Sequence, residues 1–314
     1  MDKKFLPQAL TSPFNELEEA TPFISSKREK RLFSQSTHLL GFCYDGTTSF
    51  RPGARFGPNA IREVSLNLET YSPYLHADLE EGNLIDLGNL PFYPAKPQLS
   101  LQYFEKMLEG RSLDQEKIRL VVLGGEHSIS YGPIKAHLDA YPDLVLLHLD
   151  AHADLRDGYL GEKFSHASII RRVLDHFGPR HELIQYGIRS GTREEFEWMR
   201  SQKTLKTSLQ DLVEHLQALD SQRPIYLTLD LDYFDPAYFP GTGTPETGGE
   251  DFHSFIKIIK ILRQKNLVGA DVNELAPHYD PTGNSSCFAS KVVREVILSL
   301  NMCTKVGKMT GDFK

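Results

Sequence analysis

Residues 144–154 read LVLLHLDAHAD, an apolar run that passes directly into alternating ligand and alanine positions. In extended backbone successive side chains point to opposite faces, so Asp150, His152 and Asp154 share one side while Ala151 and Ala153 face away. A buried strand ending this way can hold a metal ion.

Outward from this stretch, further short β-branched or leucine-rich runs predict buried strands over Leu39–Cys43, Leu120–Leu123, Leu183–Ile188, Ile225–Leu231 and Val268–Val272. Between them, helical periodicity predicts helices over Tyr131–Ala140, His166–Phe177, Ser208–Leu219, Phe252–Leu262 and Ala289–Leu300. Strands alternating with helices of this length indicate an α/β fold with a mainly parallel sheet. Prolines and glycines mark loops over Pro91–Gln98 and Phe234–Gly249. No Gly-, Ser- or Pro-rich linker and no internal repeat divides the chain, so the reading is a lead segment over 1–35 and one domain over 36–314.

The 314 residues suffice for a large core, and with 25% charged and 40% hydrophobic residues the composition is that of a globular protein. No apolar run approaches the ~20 residues of a membrane helix, which argues against a membrane protein. The N-terminus shows no secretory signal, and Cys43, Cys287 and Cys303 are too few and too scattered for a disulfide framework or a thiolate zinc site; both point to the cytoplasm. The formal net charge of -7 disfavours nucleic acid as a partner. The one dense basic cluster, Lys27 to Arg31, reads as a solvated helix face.

Two other post-strand segments carry patterned ligands. Gly124-Gly125-Glu126-His127-Ser128 follows Leu120–Leu123: the glycines permit a tight turn, His127 is a candidate ligand, and Ser128 is placed to cap the following helix. Thr228-Leu229-Asp230-Leu231-Asp232 alternates again, and two aspartates on one strand end repel each other unless a cation lies between them. Ligands in open parallel sheets bind beyond the carboxyl ends of the strands, where these segments converge. The pooled set is His127, Asp150, His152, Asp154, Asp230 and Asp232. That is too many for one tetrahedral ion, and two divalent ions sharing carboxylates account for it, with Mn²⁺ suited to the mixed oxygen and nitrogen donors and Zn²⁺, Fe²⁺ or Co²⁺ as alternatives in vitro. Such a pair activates water for hydrolysis.

The ordered segments GGEHS at 124–128, LDAHAD at 149–154, FSHAS at 164–168, LDLDYFDP at 229–236, PGTGTPETGG at 240–249 and DVNELAP at 271–277 resemble the ureohydrolase (arginase/agmatinase) family, as does RPGARFGPNAIR at 51–62. The resemblance covers about residues 36–300. It implies a three-layer α/β/α sandwich around a parallel sheet and two Mn²⁺ per subunit. His127 and Asp154 would then be terminal ligands of one ion, His152 and Asp232 of the other, with Asp150 and Asp230 bridging. It also implies attack of bridging hydroxide on a guanidinium carbon to give urea and an amine, His166 carrying protons to the leaving amine and Glu274 pairing with the guanidinium. Asp271 and Glu126 would anchor the ligands from outside. Glycines 241, 243, 248 and 249 would shape a loop closing over the site, and the family implies a homo-oligomer, a trimer or hexamer.

Substrate choice falls to the loops. Leu155–Lys163 contains no Asn, Ser or Thr of the kind arginases direct at an amino-acid carboxylate, and its form, running into FSHAS, looks like agmatinase. A small cationic guanidino substrate, agmatine, is therefore expected, with Asp157 or Glu162 as candidates for its distal ammonium. Arg156 keeps guanidino acids such as guanidinobutyrate or arginine as the alternative. A catalytically silent relative acting as a binding or regulatory subunit would lack a ligand, His166 or Glu274, and all are present.

Overall fold

The structure, a computed structural model, describes residues 13–91 and 103–300. Among the described residues nine strands form one sheet: β1 (Lys27–Arg28), β2 (Thr37–Phe42), β5 (Leu84–Asn89), β6 (Arg119–Gly124), β7 (Val145–Leu149), β8 (Glu182–Tyr186), β9 (Leu205–Lys206), β10 (Pro224–Asp230) and β11 (Asn266–Asn273). Their order is β1-β5-β2-β6-β11-β10-β7-β8-β9, and every neighbouring pair is parallel. A separate antiparallel pair joins β3 (Tyr71–Ser72) to β4 (Ala77–Asp78).

Alternation along the strands sorts the apolar side chains into two cores, one on each face. Val145, Leu147 and Leu149 of β7 join α1 (Gly57–Ser65), α5 (Leu209–Ala218), α6 (Phe252–Leu262) and α7 (Asn284–Leu300). Leu144, just before β7, and Leu146 within it join the opposite core with α2 (Tyr131–Ala140), α3 (Ile169–Leu174) and α4 (Arg193–Gln202). The expected three-layer α/β/α sandwich is thus realised, because a parallel sheet must be covered on both faces. Among the described residues no helix is long and apolar enough to cross a membrane.

The six expected strands and five expected helices all appear, with shifted ends. The helix expected from His166 is a 3₁₀ turn, His166–Ser168, leading into α3, and α7 begins five residues before Ala289. Phe234–Gly249 is a loop; residues 92–98 of the other expected loop lie outside the described residues. The basic cluster is not a helix face: Lys27–Arg28 is the exposed edge strand β1, paired with Ile85–Asp86. The described part of the lead, from Pro13 on, packs as well, with Phe23 in one core and Leu17 and Leu32 in the other.

Strand β5 escaped the sequence reading because Asp86, Gly88 and Asn89 interrupt its apolar pattern, yet the whole strand is buried. Arg62 of α1 makes this possible. Fully buried, it gives Nε and Nη2 to the two Asp86 oxygens at 2.9 Å, Nη1 to Asn89 Oδ1 at 2.7 Å and Nη2 to the Gly88 carbonyl at 3.0 Å. Asp86 also accepts the Phe23 N–H at 2.9 Å, tying the lead to the sheet. Gly41 of β2 has to be glycine, since a Cβ there would stand 1.9 Å from Asn89 Oδ1. Removing one partner of a buried ion pair leaves the other charge uncompensated, so Arg62→Met is expected to cost ~3–5 kcal/mol. Chemical denaturation would read this as a lower midpoint; an unchanged midpoint would refute the role given to Arg62.

Candidate metal centre and active site

Four central strands, β6, β11, β10 and β7, are consecutive neighbours, and their carboxyl ends deliver the candidate residues to one place. His127 and Glu274 follow β6 and β11, Asp230 ends β10 and Asp150 follows β7. All six predicted metal ligands come together here, and only His152 keeps substantial exposure.

The local backbone is less regular than simple alternation. Extended pairing persists to His152, which bridges Ser190, but Asp154 adopts the left-handed region at φ 54°. Asp230 and Asp232 do not share a strand face. After Asp230 the chain enters a 3₁₀ turn, Leu231–Tyr233, and Asp230 Oδ1 accepts the Asp232 N–H at 2.8 Å. The Gly124-Gly125 pair serves close approach more than turning: a Cβ on Gly125 would lie 1.8 Å from the Tyr44 carbonyl oxygen. Ser128 does not cap α2 either, because its hydroxyl donates to Glu126 Oε1 at 2.5 Å.

His127 provides the test of whether these donors fit a cation. Thr228 Oγ1 donates to Asp271 Oδ1 at 2.7 Å, so its contact with His127 Nε2 at 2.8 Å requires the proton on Nε2. The Nδ1 lone pair then faces Asp150 Oδ2 at 3.0 Å, Asp154 Oδ2 at 3.1 Å and Asp230 Oδ2 at 3.5 Å, while Nδ1 is buried without a hydrogen-bond partner. A lone pair aimed at three carboxylate oxygens calls for positive charge between them. A proton can supply it: burial opposes protonation, but the Asp150 and Asp154 carboxylates beside the ring raise His127 well above the usual imidazole range. A divalent cation satisfies the carboxylates together.

The second half repeats this logic. His152 Nδ1 lies 2.9 Å from Asp232 Oδ2 and 3.5 Å from Asp150 Oδ1. Burial lowers its pKa, yet the Asp232 and Asp150 carboxylates push it up to about 12. Asp150 therefore looks both ways, Oδ2 toward His127 and Oδ1 toward His152. Asp230 is raised well above the usual carboxylate range by burial and by the charges of Asp232, Asp150 and Glu274. Within 4.8 Å, donor atoms group as His127, His148, Asp150 and Asp154, and as Asp150, His152 and Asp232.

His148 hides within the apolar run LVLLHL, although it stands one step further back along the 150–152 alternation. Its Nε2 meets Asp150 Oδ2 at 2.8 Å and its Nδ1 meets the Gln185 amide nitrogen at 3.2 Å. Because Gln185 donates to Nδ1, Nε2 carries the proton to Asp150, and both ring nitrogens are engaged. Asp271 lies below His127: it accepts from Thr228, from Tyr226 and Ser130 at 2.8 Å, and from Asn273 at 2.5 Å. Glu126, expected to anchor His127, turns instead to Thr47, Thr48 and Ser128.

A cavity of about 220 Å³ opens over this centre, lined by His127, His152, Asp154, Asp230, His166 and Glu274. Glu274 Oε1 accepts the His127 N–H at 2.8 Å; burial and the charge of Glu126 raise the acid well above its usual range, so a cation is a favoured neighbour. Burial and the charge of His152 lower His166 to about 4, which keeps the imidazole neutral. The loop 234–249 contributes Thr244, whose hydroxyl donates to Asp232 Oδ2 at 3.2 Å.

Two substrate candidates of the sequence reading are displaced. Asp157 is exposed and pairs with Arg172 at 2.5 Å, and Glu162 accepts the Phe164 N–H at 2.9 Å; neither lines the cavity. Arg156, Tyr159 and the buried Glu195 do. Glu195 had a legible signal in the T-x-x-E capping box that starts α4. Its oxygens accept the Leu155 N–H at 2.9 Å and the Thr192 N–H at 2.7 Å, and Arg156 Nε lies 4.0 Å from Oε2 while its guanidinium covers the Tyr159 ring at 4.6 Å.

If His127 is a ligand and His148 only steadies Asp150, the two variants separate. His127→Ala should lose about one bound ion per chain, whereas His148→Ala should keep both sites with ~10–100-fold weaker metal affinity. Elemental analysis after Mn²⁺ titration checks this, and full occupancy with unchanged affinity in both variants would overturn the assignment.

Comparison with known proteins agrees with this architecture. The Arginase family model matches residues 35–299. The agmatinase of Bacillus subtilis is 41% identical over 290 residues, spanning 91% of this chain and 98% of that protein, and the agmatinase of Bacillus cereus is 43% identical over 264 residues, spanning 83% and 90%. The crystal structure of the agmatine ureohydrolase of Thermoplasma volcanium superposes with a TM-score of 0.76 at 28% identity, covering 91% of this chain and 96% of that one. A match over most of the length, on a fold that gathers a buried His and Asp cluster at the strand ends, leaves one conclusion: this chain belongs to the arginase family and is an amidinohydrolase.

Proposed function

We propose that the protein hydrolyses the guanidinium of agmatine to putrescine and urea. The observation that carries the reading is the joining, in one cavity, of a carboxylate-rich donor set and a separate buried acid, Glu274, alongside curated agmatinase relatives at 41% and 43% identity. We assign His127, Asp150, His152, Asp154, Asp230 and Asp232 to two Mn²⁺ ions, the metal suited to this mixture of oxygen and imidazole donors. Such ions, when bound, polarise water so that it becomes a nucleophile near neutral pH. Glu274 orients the guanidinium through a charge-assisted contact, its Oε1 steadied by the His127 N–H. His166, whose Nε2 lies on the cavity side beside Ser49, takes up a proton at Nε2 from the attacking water and returns it to the departing amine nitrogen.

Among the described residues Glu195 is the acid that lines the cavity apart from the metal set and Glu274, and we assign it the distal ammonium of agmatine. Arg156 beside it favours a second reading, in which a guanidino acid such as guanidinobutyrate places its carboxylate there. By family resemblance the protein is a homo-oligomer, a trimer or hexamer, and its few, scattered cysteines suit the cytoplasm.

The decisive experiment loads the purified protein with Mn²⁺ and measures product from agmatine, arginine and 4-guanidinobutyrate. Urea should form fastest from agmatine; no turnover with two ions bound would make the chain a silent relative, and preference for guanidinobutyrate would favour the second reading. His166→Ala should keep both ions and lower kcat by ~10²-fold or more. Glu274→Ala should also keep both ions but weaken a competitive guanidino inhibitor by roughly tenfold or more, the loss of a hydrogen bond to a charged group. Unchanged inhibition would remove Glu274 from guanidinium binding.

A further inference from the structure

His166 meets the cavity at the end of a hydrogen-bond chain that begins at a carboxylate outside the metal set. Glu126 is fully buried between Gly125 and His127 in sequence, yet all its bonds run to other groups. Its Oε2 accepts the Thr47 N–H at 2.8 Å and Thr48 Oγ1 at 3.1 Å, and its Oε1 accepts Ser128 Oγ at 2.5 Å and Thr47 Oγ1. The loop between β2 and α1 is thereby fastened to the end of β6.

The Thr47 hydroxyl has one proton, and that proton is committed to Glu126. Toward His166 the same oxygen can only accept. It receives the His166 backbone N–H at 3.1 Å and faces the ring Nδ1 at 3.4 Å. An acceptor at Nδ1 selects the neutral tautomer with its proton there, leaving the Nε2 lone pair on the side of Ser49, whose Oγ is 3.2 Å away and which lines the cavity. The ring is held edge-on to Tyr159 at a centroid distance of 5.9 Å.

We propose that Glu126, acting through Thr47, is a positioning residue that fixes the tautomer and the aim of the His166 imidazole. The inference rests on the reading of His166 as the proton carrier. It separates Glu126 from the role its place in the sequence suggests, which is support of the adjacent His127: the carboxylate makes no bond to that ring, and Glu274 takes the His127 N–H. A base whose tautomer is set in advance presents its lone pair without first reorganising.

Thr47→Val removes the hydroxyl at nearly constant volume, and Thr47→Ser restores it. In the full-length protein loaded with Mn²⁺, Thr47→Val should lower kcat by about tenfold while KM for agmatine stays within about twofold and both ions remain on elemental analysis; Thr47→Ser should recover most of the loss. Because Thr47 acts through the imidazole, the same Val substitution in a His166→Ala background should change the residual kcat by less than about twofold. Glu126→Gln should follow Thr47→Val, with its effect on kcat likewise absent from the His166→Ala background. Wild-type kcat in Thr47→Val, or an equal loss with and without the imidazole, overturns the relay. Full turnover in His166→Ala alone would sink the proton-carrier reading and the relay with it, so the two failures are told apart.

Discussion

Repulsion among buried carboxylates is the constraint on which the rest of this molecule turns. Asp150, Asp154, Asp230 and Asp232 lie at the carboxyl ends of adjacent strands, each at most 6% exposed, with Glu274 beside them. An uncompensated set of this kind costs several kcal/mol per ion even after relaxation. The two imidazoles show how the fold meets the problem: both are driven toward protonation against their burial. Protons are a partial remedy, since each serves one histidine, whereas His127, Asp150, Asp154 and Asp230 would together hold a divalent cation that answers all of their charges. Stability and metal affinity are therefore linked through the same residues, because whatever binds the native donors and not the unfolded chain stabilises the fold.

The donors are held by a polar layer on the sheet face beneath them, where apolar packing would be expected. Asp271, Thr228, Tyr226, Ser130 and Asn273 form one network under His127, and Gln185 with His148 forms another under Asp150. Each hydrogen bond has a direction, and the directions propagate: Thr228 donates downward to Asp271, so it must accept from His127, so Nδ1 is left bare. Thr47 acts in the same way on His166, donating to Glu126 and accepting from the ring side. A hydroxyl committed at one end works as a one-way element, and the fold uses such an element under each of two histidines.

The sequence made the first layer of the site legible and hid the second. Alternation exposed Asp150, His152 and Asp154, even though Asp154 proves to leave the extended region, because the motif needs only to bring the carboxylates back to one side. Apolar runs located the central strands for the same reason: strands buried on both faces have little freedom in composition. What stayed hidden was polar and buried. His148 sits inside an apolar run, Asp86 and Asn89 mask β5, and the direction in which Glu126 points does not follow from its adjacency to His127. In each case the compensating partner is distant in sequence, Gln185 for His148, Arg62 for Asp86 and Thr47 for Glu126, so no local pattern announces it. The charged helix α4 was missed because its composition reads as surface, although its capping box was in plain view.

Two backbone outliers tie these layers together. Asp154 at φ 54° and Glu274 at φ 68° both occupy the left-handed region, which costs roughly 1–2 kcal/mol for a residue with a Cβ and which glycine would enter freely. Asparagine and aspartate tolerate the region best, so Glu274 is the more telling of the pair. Glycine cannot replace either, since the carboxylate is what the position provides. For Glu274 the surrounding bonds over-determine the conformation: its N–H is bound to the Gly125 carbonyl at 2.8 Å and its Oε1 to the His127 N–H. Strain of this size persists only where the neighbouring structure enforces it, and such residues concentrate at sites where geometry matters more than stability. Here it turns the chain sharply after β11, so that the acid is brought back over the sheet edge beside the metal donors. The β6 loop that presents His127 is the same loop that anchors Glu274, and the spacing between donors and acid is therefore set by one reciprocal pair of contacts, the Glu274 N–H on the Gly125 carbonyl and the His127 backbone N–H on the Glu274 carboxylate, rather than by two loops moving independently.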